Sequence, residues 1–93
     1  MRKSVRRKVI RVIDGDTVRL ARRVGNTNIV RLSGYDAPER NRRGGRKATN
    51  MLRGMIGGKQ VTIKPEARDS YGRLVGTLYC NRHNVNKRMK ERL

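Results

Sequence analysis

Seven carboxylates stand among 93 residues, and four of them fall in two short clusters, Asp14-Gly15-Asp16 and Asp36-Ala37-Pro38-Glu39. Grouped acids repel one another unless something positive lies between them, so the clustering calls for a partner. Hard oxygen ligands from two separate segments, Asp16 and Asp36, suit Ca²⁺ or Mg²⁺ and leave coordination positions for water and substrate oxygens. Pro38 biases Ala37 towards an extended backbone, which can aim the Ala37 carbonyl at the same ion. Glu39, three residues beyond Asp36, can reach an ion-bound water as general base. Arg31 lies inside the apolar run Ile29-Val30-Arg31-Leu32, and Arg73 closes Asp69-Ser70-Tyr71-Gly72-Arg73. Two guanidiniums can bracket a phosphate with planar forks and neutralise charge that grows as phosphorus becomes five-coordinate. Two carboxylates for an ion, one for water and two arginines make a phosphodiesterase set.

Each motif also has a plain structural reading. Asp-Gly is a common hairpin turn. Asp36-x-x-Glu39 with Pro38 inside it has the form of a capping box at a helix start. Asp69 to Arg73 reads equally as a solvated turn, and Arg31 as an outward position on an amphipathic strand.

The elements that must position these residues are short. Val9 to Ile13, Thr17 to Leu20 and Ile29 to Leu32 are rich in β-branched residues and separated by Asp14-Gly15 and Gly25-Asn26, which predicts an antiparallel meander. From Lys47, the residues Ala48, Leu52, Met55 and Ile56 form one helical stripe that Gly57-Gly58 ends. Residues 40–46 are a basic, glycine-bearing loop. Lys59 to Lys64 and Leu74 to Cys80 read as strands four and five, and Val85, Met89 and Leu93 as a short final helix. Five strands with a helix inserted after the third predict a small barrel with helical additions, and residues 1–93 read as one domain.

Composition bounds the partner. Twenty-five Lys and Arg against seven acids give a formal charge of +18, which points to a polyanion, nucleic acid before a membrane surface. Phe and Trp are absent, so the core must be a thin one of Val, Ile, Leu and Met. Cys80, the single cysteine, lies in an apolar stretch and reads as a buried thiol; His83, in a polar run, reads as a turn or surface residue. The Met-Arg-Lys start lacks a continuous apolar stretch, which predicts no signal peptide and a cytoplasmic protein, with a secreted chain seen after processing as the alternative.

Taken together and in order, Val12-Ile13-Asp14-Gly15-Asp16-Thr17-Val18, Val30-Arg31-Leu32, Tyr35-Asp36-Ala37-Pro38-Glu39, the Gly45…Ala48…Leu52 pattern, Asp69-Ser70-Tyr71-Gly72-Arg73 and Val85-Asn86 resemble the staphylococcal nuclease (thermonuclease) family. The resemblance implies a mainly β, five-stranded OB-like barrel with the site at its mouth. It implies a calcium-dependent endonuclease of DNA and RNA leaving 3′-phosphate and 5′-hydroxyl ends, with Mg²⁺ or Mn²⁺ as alternative ions. By motif position Asp16, Asp36 and the Ala37 carbonyl look like metal ligands, and Arg31 and Arg73 like phosphate-binding arginines. Glu39 looks like the water-activating residue, Tyr71 like a tyrosine lining the nucleotide pocket, and Asp14 like an acid near the ion. Ala37 replaces the threonine of the family's best-known member, and the loop after Glu39 is short and arginine-rich. The sequence stops early in the second helix of that family, so further C-terminal elements with their aromatic residues are expected to be missing. The competing reading is a catalytically weak OB-like nucleic-acid-binding module. No obligatory protein partner is evident, and a homo-oligomer is compatible with the sequence.

Overall fold

In a computed structural model that describes residues 3–39 and 41–92, the chain folds as β1 (Val5–Asp14), β2 (Thr17–Val24), β3 (Thr27–Leu32), α1 (Gly45–Ile56), β4 (Gln60–Arg68), β5 (Leu74–Cys80), β6 (His83–Asn84) and α2 (Val85–Arg92). The sheet runs β3-β2-β1-β4-β5-β6, and an added parallel pairing of β3 with β5 closes the first five strands into the expected barrel. Val30 lies opposite Leu74, Arg31 opposite Val75 and Leu32 opposite Gly76 in that closing pair. The sixth strand, only two residues long, is an addition to the five that the sequence predicts.

Alternation builds the interior. On β5, Leu74, Gly76, Leu78 and Cys80 are buried while Val75, Thr77 and Tyr79 are only half-buried. Val9, Val12, Val18, Leu20, Val30, Leu32, Val61 and Ile63 meet them inside, and the α1 stripe of Ala48, Leu52 and Ile56 covers one end with Met89 of α2. The core is therefore the predicted aliphatic one, with the Cys80 thiol buried in it. His83 is exposed, beside Arg88. Leu93, assigned to the last position of the final helix by its spacing, lies outside the described residues, as does Arg40 of the basic loop.

Two corrections concern strand and helix limits. Strand β4 continues through Pro65 to Arg68, where the sequence pattern stops at Lys64. The proline is tolerated because the β4–β5 register shifts between Pro65 and Ala67, and a bulge has no need of the missing N–H. Opposite it stands Gly76, whose Cβ, if present, would lie 2.6 Å from the Lys64 carbonyl oxygen. The capping-box reading of Asp36 to Glu39 does not hold: those residues are loop, and α1 starts at Gly45 behind Gly44, which has φ +82° and no side-chain cap.

Asn86 clasps the second helix to the barrel. It is buried; its Nδ2 donates to the Ser33 carbonyl at 2.9 Å and the Gly76 carbonyl at 3.1 Å, while its Oδ1 accepts from the Leu78 N–H at 3.0 Å. All three partners belong to the closing strands or to the segment leaving β3, so this side chain fixes the origin of the loop that carries Asp36. Among the described residues no helix is long and apolar enough to cross a membrane.

Candidate active site

The first acidic cluster is the β1–β2 turn, so its turn reading and its functional reading coincide. Asp16 N–H donates to Asp14 Oδ1 at 3.1 Å, and the Asp16 carbonyl accepts from the Leu32 N–H at 2.8 Å, tying the turn to the end of β3. Gly15 lets three segments meet. A Cβ there would lie 2.5 Å from Ala48 Cβ on α1 and 2.8 Å from Ala37 Cβ in the second acidic segment. Only glycine permits the turn, the loop and the helix to approach so closely.

Asp16 is consequently buried and fully engaged. Its Oδ1 accepts the Thr17 hydroxyl at 2.8 Å; its Oδ2 accepts the Ala37 N–H at 3.0 Å and faces Arg31 Nη2 at 3.4 Å. Burial alone works to raise the Asp16 pKa. The hydrogen bonds from Asp14, Thr17 and Ala37, with the Arg31 charge, outweigh it and hold this carboxyl below the usual aspartate value. Asp14 moves the other way, raised first by its own burial and then by the neighbouring Asp16 carboxylate.

Arg31 joins the two clusters. Its Nη2 also bonds Asp36 Oδ1, so one guanidinium nitrogen bridges a buried carboxylate and a solvent-facing one, 10% and 88% exposed. The sequence places Arg31 outward on its strand, and it alternates as expected with buried Val30 and Leu32. Tyr35, in the same loop, packs against the core, and its hydroxyl has no hydrogen-bond partner among the described residues. Burial, then the Asp16 charge, raises the Tyr35 pKa.

The turn from Asp69 to Arg73 forms a second unit. Asp69 Oδ1 accepts the N–H groups of Tyr71 at 3.0 Å and Arg73 at 2.9 Å, and its Oδ2 accepts Arg73 Nε at 2.6 Å. The Arg73 guanidinium also stands 5.2 Å from the centre of the Tyr71 ring, which is itself 83% exposed. Register relates this unit to the first. Arg73 precedes β5 by one residue, so it shares the outer face with Val75, which lies opposite Arg31. Two strand steps, about 7 Å, separate the two arginines along the strand direction.

Of the seven predicted site residues, the structure brings Asp16 into contact with Arg31 and Ala37, and Arg31 into contact with Asp36, while register sets Arg73, near Tyr71, on the same outer face as Arg31. Glu39 joins neither group; its recorded ion pair is with Arg42 at 3.6 Å. Residue-by-residue reading left Asp69 as a solvated turn and overlooked Thr17, which together orient one arginine and one carboxylate. The i,i+4 spacing of Asp69 and Arg73 across Gly72, whose φ is +82°, was the available signal.

Asp69 also gives the site a pH signature. Burial works to raise its pKa, but the hydrogen bonds and charge of Arg73, helped by the Tyr71 N–H, lower it below the ordinary value. A depressed carboxylate stabilises the fold above its unfolded pKa and loses that contribution as pH falls through the folded one. The expected result is a melting-temperature gap between wild type and Asp69→Asn that is full well above the ordinary aspartate pKa of about 3.9 and narrows as pH falls below it. A gap that is flat across that range would show that the carboxylate contributes nothing through its charge.

The sequence pattern of the family described as staphylococcal nuclease homologue matches residues 29–92, more than half of the chain. The chain belongs to this family. Its named relatives are of several kinds. A protein of Escherichia coli named as an uncharacterized endonuclease is 40% identical over 83 residues, 88% of this chain and 54% of its own length. Endonuclease YhcR of Bacillus subtilis is 39% identical over 82 residues, 73% of this chain and 7% of that protein. The probable staphylococcal-like nuclease CAN3 of Oryza sativa subsp. japonica is 42% identical over 60 residues, 64% of this chain and 16% of that protein. This staphylococcal nuclease homologue spans about half the length of the E. coli relative.

Proposed function

We propose that the chain is a metal-dependent endonuclease that hydrolyses phosphodiester bonds of DNA and RNA, with calcium as its ion and 3′-phosphate and 5′-hydroxyl ends as products. The observation that carries this reading is Arg31 bridging Asp16 and Asp36 on the outer face that Arg73 shares.

The donor chemistry fits a hard cation. Asp16 and Asp36 converge on one positive nitrogen, so both already serve a shared cationic point. No group of three His, Cys, Asp or Glu side chains clusters for a metal among the described residues. The remaining coordination therefore falls to the Ala37 carbonyl, water and the substrate, as an oxygen-seeking ion accepts. Calcium bound there would polarise a phosphoryl oxygen and acidify a coordinated water.

The chain's own residues supply the rest. Arg31 and Arg73 hold the two non-bridging phosphate oxygens from the same face and neutralise the charge that builds as water adds to phosphorus. Glu39 accepts the proton of that water. The bond from phosphorus to the 5′ oxygen then breaks, the phosphate stays on the 3′ side, and the 5′ oxygen takes a proton from solvent. Tyr71, exposed and stacked near Arg73, offers its ring face to a base. Glu39 is exposed and paired with Arg42, so it must turn towards the phosphate when substrate binds.

A barrel that binds nucleic acid without turnover is the second reading, favoured by that same separation of Glu39 from Asp16, Arg31 and Asp36. A gel assay of single-stranded DNA and RNA in calcium, in magnesium and in chelator separates the two, with melting curves run in parallel. Nuclease activity predicts cleavage in metal and none in chelator, with calcium raising the melting temperature by relieving the crowded acids. Salt-sensitive binding without cleavage in any metal would overturn the enzyme and leave the binding module.

A further inference from the structure

Strand β1 breaks its alternation at one place. A β-bulge shifts the β1–β2 register between Val9 and Arg11, so that Ile10 and Arg11 are both exposed between buried Val9 and Val12. The shift sets Arg11 directly across from Arg19, which is also exposed. Like charges facing each other across two strands repel, and Ile10, 53% exposed, adds an unfavourable apolar surface. A bulge re-aims side chains, and here it aims a cation and an aliphatic group at the same spot.

That spot is the floor of a groove of about 490 Å³ between β1 and the end of α1, lined by Ile10, Arg11, Val12, Arg53, Gly57 and Gly58. The far wall is rigid. Gly58 N–H donates to the Val9 carbonyl at 3.0 Å, and Val9 N–H donates to the Lys59 carbonyl at 2.9 Å. A Cβ at Gly58 would meet nothing within 4 Å, so the backbone there is open to a ligand. A separate groove lies nearer the start of α1. Arg46 and Asn50 line it with Asn41 and Thr49, and Arg46, Asn50, Arg53 and Gly57 follow one helical face.

We infer that the bulge at Ile10–Arg11, with Arg53 across the groove, is a second phosphate subsite that holds the nucleic-acid backbone a few nucleotides from the cleaved bond. The inference rests on the proposed action on nucleic acid. From Ala48, which touches the acidic turn, to Gly57 is nine helical residues, about 14 Å. At about 3.4 Å of axis per phosphate in one strand, this corresponds to about four phosphates. Ile10 packs against a sugar or base face, while Arg11 and Arg53 take the phosphate between them. The ligand removes the repulsion that the bulge creates, so the site explains an arrangement the barrel does not need for its own stability.

The test uses the whole chain in chelator, where no turnover occurs, and reads binding of labelled 12-nucleotide single-stranded DNA by fluorescence anisotropy. A dinucleotide with one phosphodiester serves as the short competitor. Arg11→Gln/Arg53→Gln is expected to weaken the 12-nucleotide strand about tenfold at low salt and to reduce the salt slope by about 0.7, the loss of one phosphate contact. Dinucleotide affinity should stay as in wild type. Arg11→Lys/Arg53→Lys should recover most of the loss. Lys64→Gln/Lys87→Gln removes the same charge from exposed positions outside the groove and should cost the 12-nucleotide strand much less. Equal losses in the two glutamine variants, or an equal loss for the dinucleotide, would overturn the subsite. Cleavage by wild type is scored separately in calcium. No cleavage, with the length-dependent binding loss intact, overturns the nuclease and supports the subsite.

Discussion

Arg31→Ala is expected to lower kcat/KM for single-stranded DNA by about 10³-fold or more, the range set by removing a guanidinium that stabilises phosphoryl-transfer charge. Arg31→Lys should recover only a small part of this, because an ammonium cannot reproduce a fork that spans two acceptors. Arg31 is also half of the site's own charge balance. Without it, Asp16 stays buried with only the Thr17 hydroxyl and Ala37 N–H to answer its charge, and Asp36 loses its recorded partner. The variant should therefore melt lower than wild type in chelator and gain more from calcium, since the ion then supplies the missing positive charge. Melting curves with and without calcium check this alongside the kinetics. A variant whose calcium response is smaller than that of wild type would mean that the two carboxylates do not share a cation.

Glu39→Gln should separate chemistry from fold. Its ion pair with Arg42 is 3.6 Å long with both side chains more than 70% exposed, an arrangement that contributes little to stability. Melting temperature and DNA affinity should stay close to wild type, while kcat falls by about 10²–10⁴, the usual contribution of a positioned general base. Single-turnover cleavage, with melting curves and DNA binding run alongside, measures all three. Full activity in this variant would place the base elsewhere and undo the role assigned to Glu39.

The meander was legible because Val, Ile and Thr alternate between two turn signals, and the α1 stripe because its apolar residues keep a four-three-one spacing up to Gly57. What stayed hidden was charge on strands. Val5 to Lys8 carries three cations in four positions and reads as a basic lead-in, yet it pairs with β4 from Ile63 to Gln60. Its alternation is real, with Val5 and Arg7 half-buried and Arg6 and Lys8 exposed. The bulge at Ile10 was illegible for another reason: a register shift leaves no trace in residue types, because either phase of the pattern looks plausible. Asp16, Arg31 and Asp36 drew attention in the sequence as unusual residues in unusual places, and the structure brings them together. The sequence could not show that one arginine bridges both acids, since that contact depends on Gly15 admitting Ala37 and Ala48. The helix begins at Gly45, two residues before the Lys47 that the apolar stripe marks, and the capping-box alternative at Asp36 fails because a capping box describes a local preference, while here the loop is set by contacts across the barrel.

Asn86 has a consequence for the order in which the molecule is made. Asp14, Asp16, Asp36 and Glu39 all lie before residue 40, but the Ser33 carbonyl that begins the loop of the last two is held by a side chain 53 positions later. Long-range contacts of this kind are slow to form, because the chain must lose the entropy of a large loop before the bond can compensate it. The parallel β3–β5 seam has the same requirement. During synthesis, then, the acidic segments emerge first as a meander with no seam and no clasp, able to carry charge but not to fix the Asp16–Arg31–Asp36 geometry. That geometry arrives late, when residue 86 is free to reach back, so a ribosome-bound chain short of that point is a basic polymer whose acidic segments have not yet been brought together.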